Sequence, residues 1–544
     1  MTRLTTIRPA TVGLVALSMF ALVGATEGQD AKPSSEAGSG SIPLSTLLGQ
    51  KSASPQPTPS AQSAPVVPGS QRSGPSSPRG NTATSGETRR LPEDSTTKQT
   101  IVVNGRTLAF TATAGSLRLF NASSGEPQAD IAYTAYQLDG ADPRRRPVTF
   151  FFNGGPGASS AYLQLGCAGP WRLSIEGESA IPSASPDLKP NAETWLDFTD
   201  LVFVDPVDTG YSRFVSTDEE VRKRFFSVDG DVDALAVTIR RYLEKTDRLL
   251  SPKFIVGESY SGIRGPKIVN ELQSRQGIGV NGLILISPAL DFRDFGGSNL
   301  MQYVISLPSM AAIAREAKHP VTRADMADVE AYARGDFLVD LVKGEADSEA
   351  TTRLADSVSA LTGIDQAIVR RLAGRLDVSV FRREFDRRDG KVAGRYDGSV
   401  LGFDPNPNSN SAPADDPSGD TLVAPLTTAA IELSTHTLNW HPDGPYRLLN
   451  RSISWDYGRG LNQVQSISEL RQILALDPKL KLLIGHGLFD LATPYFGTKI
   501  RLDQLPAFGS PDRVKLVVYP GGHMFYSREA SRQAFRSEAE ALMK

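Results

Sequence analysis

The segment FIVGESYSGIRGPKI, residues 254–268, carries a serine just after an apolar run. Gly257-Glu258-Ser259-Tyr260-Ser261 departs from the G-x-S-x-G pattern of a strand-turn-helix nucleophile only in its last place, where a second serine stands for glycine. Such a turn needs small residues two positions either side of the nucleophile so that the backbones can pass closely. Gly257 and Ser261 both meet that need. A serine hydroxyl is inert without a base to take its proton and a third group to orient that base. In the order serine, acid, histidine, Asp490 and His523 are the candidates, each a few residues beyond an apolar run. His486 is the competing base, but it precedes the acid and shares its strand end.

Attack on a carbonyl develops an oxyanion, which fixed N–H donors must stabilise. One donor is expected from the residue after the nucleophile, Tyr260. The other is expected from the loop after an early strand, and the Asn153-Gly154-Gly155-Pro156-Gly157 turn offers Gly155, a residue that lets backbone approach closely.

The elements that must position these groups are legible as short apolar runs, each followed by a turn residue: Val148 to Phe152, Leu201 to Val204, Phe254 to Val256, Leu283 to Ile286, Lys481 to Ile484 and Val514 to Tyr519. Runs of that kind predict strands of a mostly parallel sheet buried on both faces. Helical patterns lie between several of them, as in Val232 to Leu243, so the fold class is α/β. Asn153, Asp205, Ser259, Asp490 and His523 all follow predicted strand ends, where open parallel sheets place their ligand sites. Thr100 to Val103 and Thr107 to Thr111 flank Asn104-Gly105, a hairpin signal. Residues 292–435 interrupt the rhythm after the fourth run. They carry a helical pattern at Ile364, Ile368, Leu372 and Leu376 and a Pro/Asn/Asp/Ser-rich stretch from Phe403 to Asp420, which predicts a cap inserted over the site.

Arg3 and Arg8 precede an uncharged stretch from Pro9 to Thr26 ending in small residues, which predicts an export signal over residues 1–25. The alternative is an uncleaved membrane anchor. Ser, Pro, Gly and Thr make up 24 of the 40 residues from Lys51 to Arg90, too little apolar material to fold, so residues 26–99 are expected to be a disordered linker. A net charge of −3 with scattered basic residues gives no nucleic-acid signature. Cys167 is the single cysteine, which excludes an intramolecular disulfide and leaves no cysteine pair for a metal site. His436 and His441 lie close together without a third ligand in view, so no metal is expected.

The blocks FFNGGPGASS, VDPVDTGYS, GESYSG, GLFD and GGHM, in order from Phe151 to Met524, resemble the signature blocks of the serine carboxypeptidase family. The resemblance implies an α/β-hydrolase fold with a helical cap, in which residues 100–291 and 436–544 form the catalytic domain and residues 292–435 the cap. It also implies removal of C-terminal residues from peptides without metal or organic cofactor. It places the nucleophile on Ser259, the acid on Asp490, the base on His523 and the oxyanion donors on Gly155 and Tyr260. The substrate's terminal carboxylate falls to Asn153 and Glu258.

Three positions depart from that pattern. Cys167 stands where the family usually has a second glutamate, and it is expected to be a small buried residue. Arg264 replaces part of an aromatic position and is expected to be a solvated helix arginine, the alternative being a role in attracting a carboxylate. The disulfides of eukaryotic members are absent, as in a bacterial-type secreted or periplasmic member. The expected partner is therefore a peptide with a free C-terminal carboxylate, cleaved best at acidic pH. The alternatives are an esterase or acyltransferase on the same scaffold and, in a different class, a non-catalytic envelope-binding protein.

Overall fold

The computed structural model describes residues 90–175, 180–296, 299–411, 415–458 and 464–544. The expected signal and most of the expected linker lie outside them.

The central sheet has ten strands. Along its main path run β1 (Ser95–Val103), β2 (Arg106–Phe120), β3 (Pro127–Leu138), β4 (Val148–Phe152), β5 (Asp200–Val204), β6 (Lys253–Glu258), β7 (Gly282–Ile286), β8 (Lys481–Gly487) and β9 (Val514–Tyr519). Their spatial order is β1-β2-β3-β5-β4-β6-β7-β8-β9. The first three pair antiparallel and β3 meets β5 antiparallel, while β5 through β9 pair parallel. A parallel array whose first pair is crossed, flanked by an antiparallel edge, is the α/β-hydrolase arrangement.

The expected hairpin turn is present, with Asn104 at φ 51° and Gly105 at φ 73°, the two left-handed residues that an Asn-Gly turn supplies. The folded body starts earlier than residue 100. Leu91 is buried and β1 begins at Ser95. The first half of this edge strand escapes a hydrophobic-pattern reading because Ser95 to Gln99 carry only polar side chains, among them Lys98, whose Nζ lies 3.0 Å from Asp139.

The parallel strands β4 to β8 are buried on both faces, which is why the sequence shows continuous apolar runs there rather than alternation, while the edge strand β9 is only half-buried. Phe150 and Phe152 face one core with Val202, Ile255, Leu283 and Leu482, while Phe151 faces the other with Phe203, Val256, Ile284 and Leu483. The first core is closed by α1 (Val228–Lys245) and α2 (Ser261–Ser274), through Leu235, Ile239, Leu243, Ile268 and Leu272.

Between β7 and β8 the chain leaves the sheet. It forms α3 (Met301–Glu316), α4 (Ser348–Thr362) and shorter helices around a third core. The helical pattern expected from Ile364 to Leu376 becomes one short helix, Gln366–Arg371, because left-handed Ala373 (φ 49°) and Gly374 (φ 75°) break the chain after it. Arg447, Leu449, Asp456 and Gln465 bridge back to the body at Gly210, Ala158, Ser227 and Asp291, respectively. The third core also includes Leu488, Phe489, Leu491, Tyr495 and Phe496, from the loop and helix after β8. The cap helices therefore pack directly on the residues either side of Asp490. Helix α5 (Ile467–Leu476) adds Leu470, Ile473 and Leu474 to the first core, whereas α6 (Glu529–Met543) lays Phe535 and Ala539 into the second.

Candidate active site

β6 ends at Glu258, and the chain turns at Ser259 with φ 61° before α2 begins at Ser261. A non-glycine residue in that region stores backbone strain of roughly 1–3 kcal/mol, which the surrounding packing must hold. Hydrogen bonds from Ser259 N–H to the Ile286 carbonyl (2.9 Å) and from Gly262 and Ala289 N–H to the Ser259 carbonyl (2.8 and 3.0 Å) do so. A Cβ on Gly257 would stand 2.5 Å from the Ser261 Cβ, so one of the two positions must be glycine and the other small. The Ser261 hydroxyl also donates toward the carbonyls of Phe152 and Asn153, at 3.2 and 3.3 Å, tying the serine turn to the loop after β4.

That loop lies against the turn. Asn153, Gly154, Gly155, Glu258, Ser259 and His523 share one cleft of about 500 Å³, part of it open to solvent, whose outer wall includes Tyr162, Tyr396 and Arg451. Gly155 has φ 100°, a conformation that requires glycine. The Tyr260 side chain turns away from the cleft to stack on Phe292, leaving its backbone N–H beside Gly154.

His523 Nδ1 lies 2.8 Å from Asp490 Oδ2, both residues buried. An Nδ1–H donating to the carboxylate fixes the tautomer and leaves Nε2 toward the cleft that Ser259 lines. The Asp490 Oδ1 accepts from Ala492 and Thr493 N–H (2.8 and 3.0 Å), and the Thr493 hydroxyl lies 2.8 Å from Asp490 Oδ2. Burial opposes a charged His523, but the Asp490 carboxylate outweighs that cost and Glu258 adds to it, so the imidazole pKa is raised above the ordinary histidine value.

Glu258 is buried, and burial pushes its carboxyl up to about 7 against the opposing influence of His523 and of hydrogen bonds from Tyr526 and Asn153. The Tyr526 hydroxyl donates to Glu258 Oε2 at 2.7 Å. Asn153 Oδ1 accepts from Leu163 N–H (3.1 Å), which turns its NH₂ toward Glu258.

A serine on a strained turn, a histidine held by a buried acid and glycine-lined N–H donors can together perform acyl transfer. Residues 124–331 match the family model described as serine carboxypeptidase. Over that segment the chain is similar to the serine carboxypeptidase family. It is 30% identical over 155 residues to serine carboxypeptidase-like 13 of Arabidopsis thaliana, covering 28% of this chain and 34% of that one. To a pheromone-processing carboxypeptidase of Debaryomyces hansenii it is 32% identical over 169 residues, 30% of this chain and 21% of the relative. The matches thus span about a third or less of those relatives' lengths. Among solved structures, a prohormone-processing carboxypeptidase from Saccharomyces cerevisiae aligns with 79% of this chain and 91% of its own, at 16% identity and a TM-score of 0.48.

The segment that matches the serine carboxypeptidase model contains Asn153, Gly155, Glu258, Ser259 and Tyr260 but stops short of Asp490 and His523, which rest on geometry. His486 is not placed as a base. It is fully buried, its Nε2 contacts Thr498 Oγ1 at 2.8 Å, and burial lowers its pKa to about 3. Asp205 follows its strand as expected but faces away from the cleft, accepting from Ser160 N–H at 2.9 Å.

Arg264 corrects an expectation. It is buried rather than solvated, paired with Asp231 at 2.7 Å, and its Nη1 donates to the Asn153 carbonyl at 2.6 Å. A helix arginine one turn after the nucleophile thus anchors the glycine loop, and only a matching buried Asp on α1 makes that possible. Tyr526 and Thr493 were not anticipated either. Thr493 reaches back across its own turn to Asp490, whereas Tyr526, three residues after His523, reaches across to Glu258 on β6.

Proposed function

We propose that the protein is an exported serine-type carboxypeptidase that removes the C-terminal residue of peptides. His523 Nε2 takes the Ser259 proton as Oγ attacks the last peptide carbonyl, and the backbone N–H groups of Gly155 and Tyr260 receive the oxyanion. The proton then passes to the leaving amine, which departs as the free amino acid. Water, deprotonated by His523, releases the acyl group from Ser259.

The observation that carries this reading is the Glu258 carboxyl. It is buried one residue before Ser259, lines the same cleft, and is held near pKa 7. Protonated, Glu258 can donate to the substrate carboxylate beside the Asn153 amide, which favours cleavage at acidic pH. Export is supported by the charged and then uncharged N-terminal sequence.

The absence of a second carboxyl at Cys167 favours the alternative, an esterase or acyltransferase on the same scaffold. An N-blocked dipeptide with a free carboxylate, compared with its C-terminal amide, separates the two. The carboxypeptidase reading requires the acid to be cleaved much faster, and equal rates defeat it. Fluorophosphonate labelling that disappears in Ser259→Ala excludes a non-catalytic binding protein.

A further inference from the structure

Glu258 has two oxygens, and only one of them can serve a substrate in the cleft. The Tyr526 hydroxyl occupies Oε2 at 2.7 Å, from a ring with no exposed surface. That ring is fixed by its surroundings: it packs edge-on against Phe525, and a Cβ on Gly166 would stand 2.9 Å from its Cε2. Cys167, the next residue, is buried on the same side, close enough for its thiol and the Tyr526 phenol to feel each other and Glu258, and burial first and Glu258 second push the thiol pKa up. A neutral thiol leaves the phenol as the strong hydrogen-bond donor on that side of the carboxyl.

We infer that Tyr526 is a positioning residue, whose hydroxyl caps Glu258 Oε2 so that the acid proton sits on Oε1 and points into the cleft that Ser259 lines. A carboxylic acid can carry its proton on either oxygen, and a fixed donor at one of them reserves the other for the proton. Cys167 cannot supply this function, and Asn153, whose Oδ1 is taken by Leu163 N–H, supplies only donors. The other titratable groups that feel Glu258 are His523, from the loop after β9, Asp490, from the loop after β8, and the Tyr162 phenol on the cleft wall, none of which the substitution removes.

The role in substrate binding rests on the chain-end reading, while the effect on the carboxyl itself does not. Two measurements on Tyr526→Phe therefore test it, with an unchanged unfolding temperature and an unchanged rate on an N-blocked ester showing an intact fold and triad. The first follows the carboxylic-acid C=O band in infrared difference spectra, identified by its loss in Glu258→Gln. Losing a donor to the carboxylate raises the pH at which the band disappears. The second is KM for the N-blocked dipeptide acid, expected to rise roughly tenfold with little change in kcat. Its alkaline limb is expected to move up with the band. A C=O band that titrates at the wild-type pH overturns the inference, whichever substrates the enzyme accepts. A shifted band with unchanged KM overturns the positioning role while leaving the contact. Wild-type cleavage of acid and amide at equal rates counts against the chain-end reading alone, and the band then decides. As a control, Cys167→Ser is expected to leave KM within about twofold.

Discussion

A Cβ placed on Gly154 would lie 2.5 Å from the backbone nitrogen of Tyr260. The loop after β4 and the turn after β6 are therefore in backbone contact beside the Gly155 and Tyr260 N–H groups proposed to receive the oxyanion. Gly154→Ala is expected to push them apart and cost roughly a hundredfold or more in kcat on peptides and esters alike, with KM little changed. Steady-state kinetics on both substrate types check it, and a substitution without effect on kcat would show that the contact does not set the donors.

Cleavage of free-carboxylate substrates should be bell-shaped in pH. Its acid limb reports His523, which must be neutral to act as a base and whose pKa is raised by Asp490 against burial. Its alkaline limb reports Glu258, protonated below about 7 in the free protein and pushed further up by a bound carboxylate. An ester without a carboxylate needs only His523, so its rate should rise with pH and level off. Parallel profiles for the two substrates would contradict the assignment.

Arg264→Ala leaves Asp231 buried without its partner and frees the Asn153 carbonyl, and is expected to destabilise the protein by about 3–5 kcal/mol. Urea unfolding measures the loss. Arg264→Met with Asp231→Leu, which removes both charges, should recover most of it.

Phe489 is fully buried in the cap core beside Asp490. Phe489→Ala is expected to cost about 3–5 kcal/mol and also to lower kcat, because the acid loop loses the packing that fixes it. Phe110→Ala, in the antiparallel edge, should cost similar stability with kcat unchanged. Equal kcat in the two variants would separate cap packing from catalysis.

The parallel strands were legible because burial on both faces writes them as unbroken apolar runs, and the strand-end rule then gathered Asn153, Ser259, Asp490 and His523 from distant parts of the chain. Asp205 shows the limit of that rule, since a strand-end carboxylate can equally brace a loop through Ser160 N–H. The first half of β1, Ser95 to Gln99, was hidden because its side chains are all polar, while Thr100 to Val103 was legible beside the Asn104-Gly105 turn. Arg264 was misread because a buried guanidinium and a solvated one have the same local sequence, and only the fold brings Asp231 to it. Tyr526 was missed for the same reason. Its partner lies on β6, far away in the sequence, and nothing near His523 announces a carboxyl.

The account turns on Glu258 as the group that reads the chain end. The most direct measurement is the pH dependence of kcat/KM for Glu258→Gln on an N-blocked dipeptide acid, beside the wild type. The glutamine amide donates a hydrogen bond at every pH, so the account predicts that the alkaline limb disappears while the acid limb set by His523 remains. A variant that keeps the wild-type bell would contradict it.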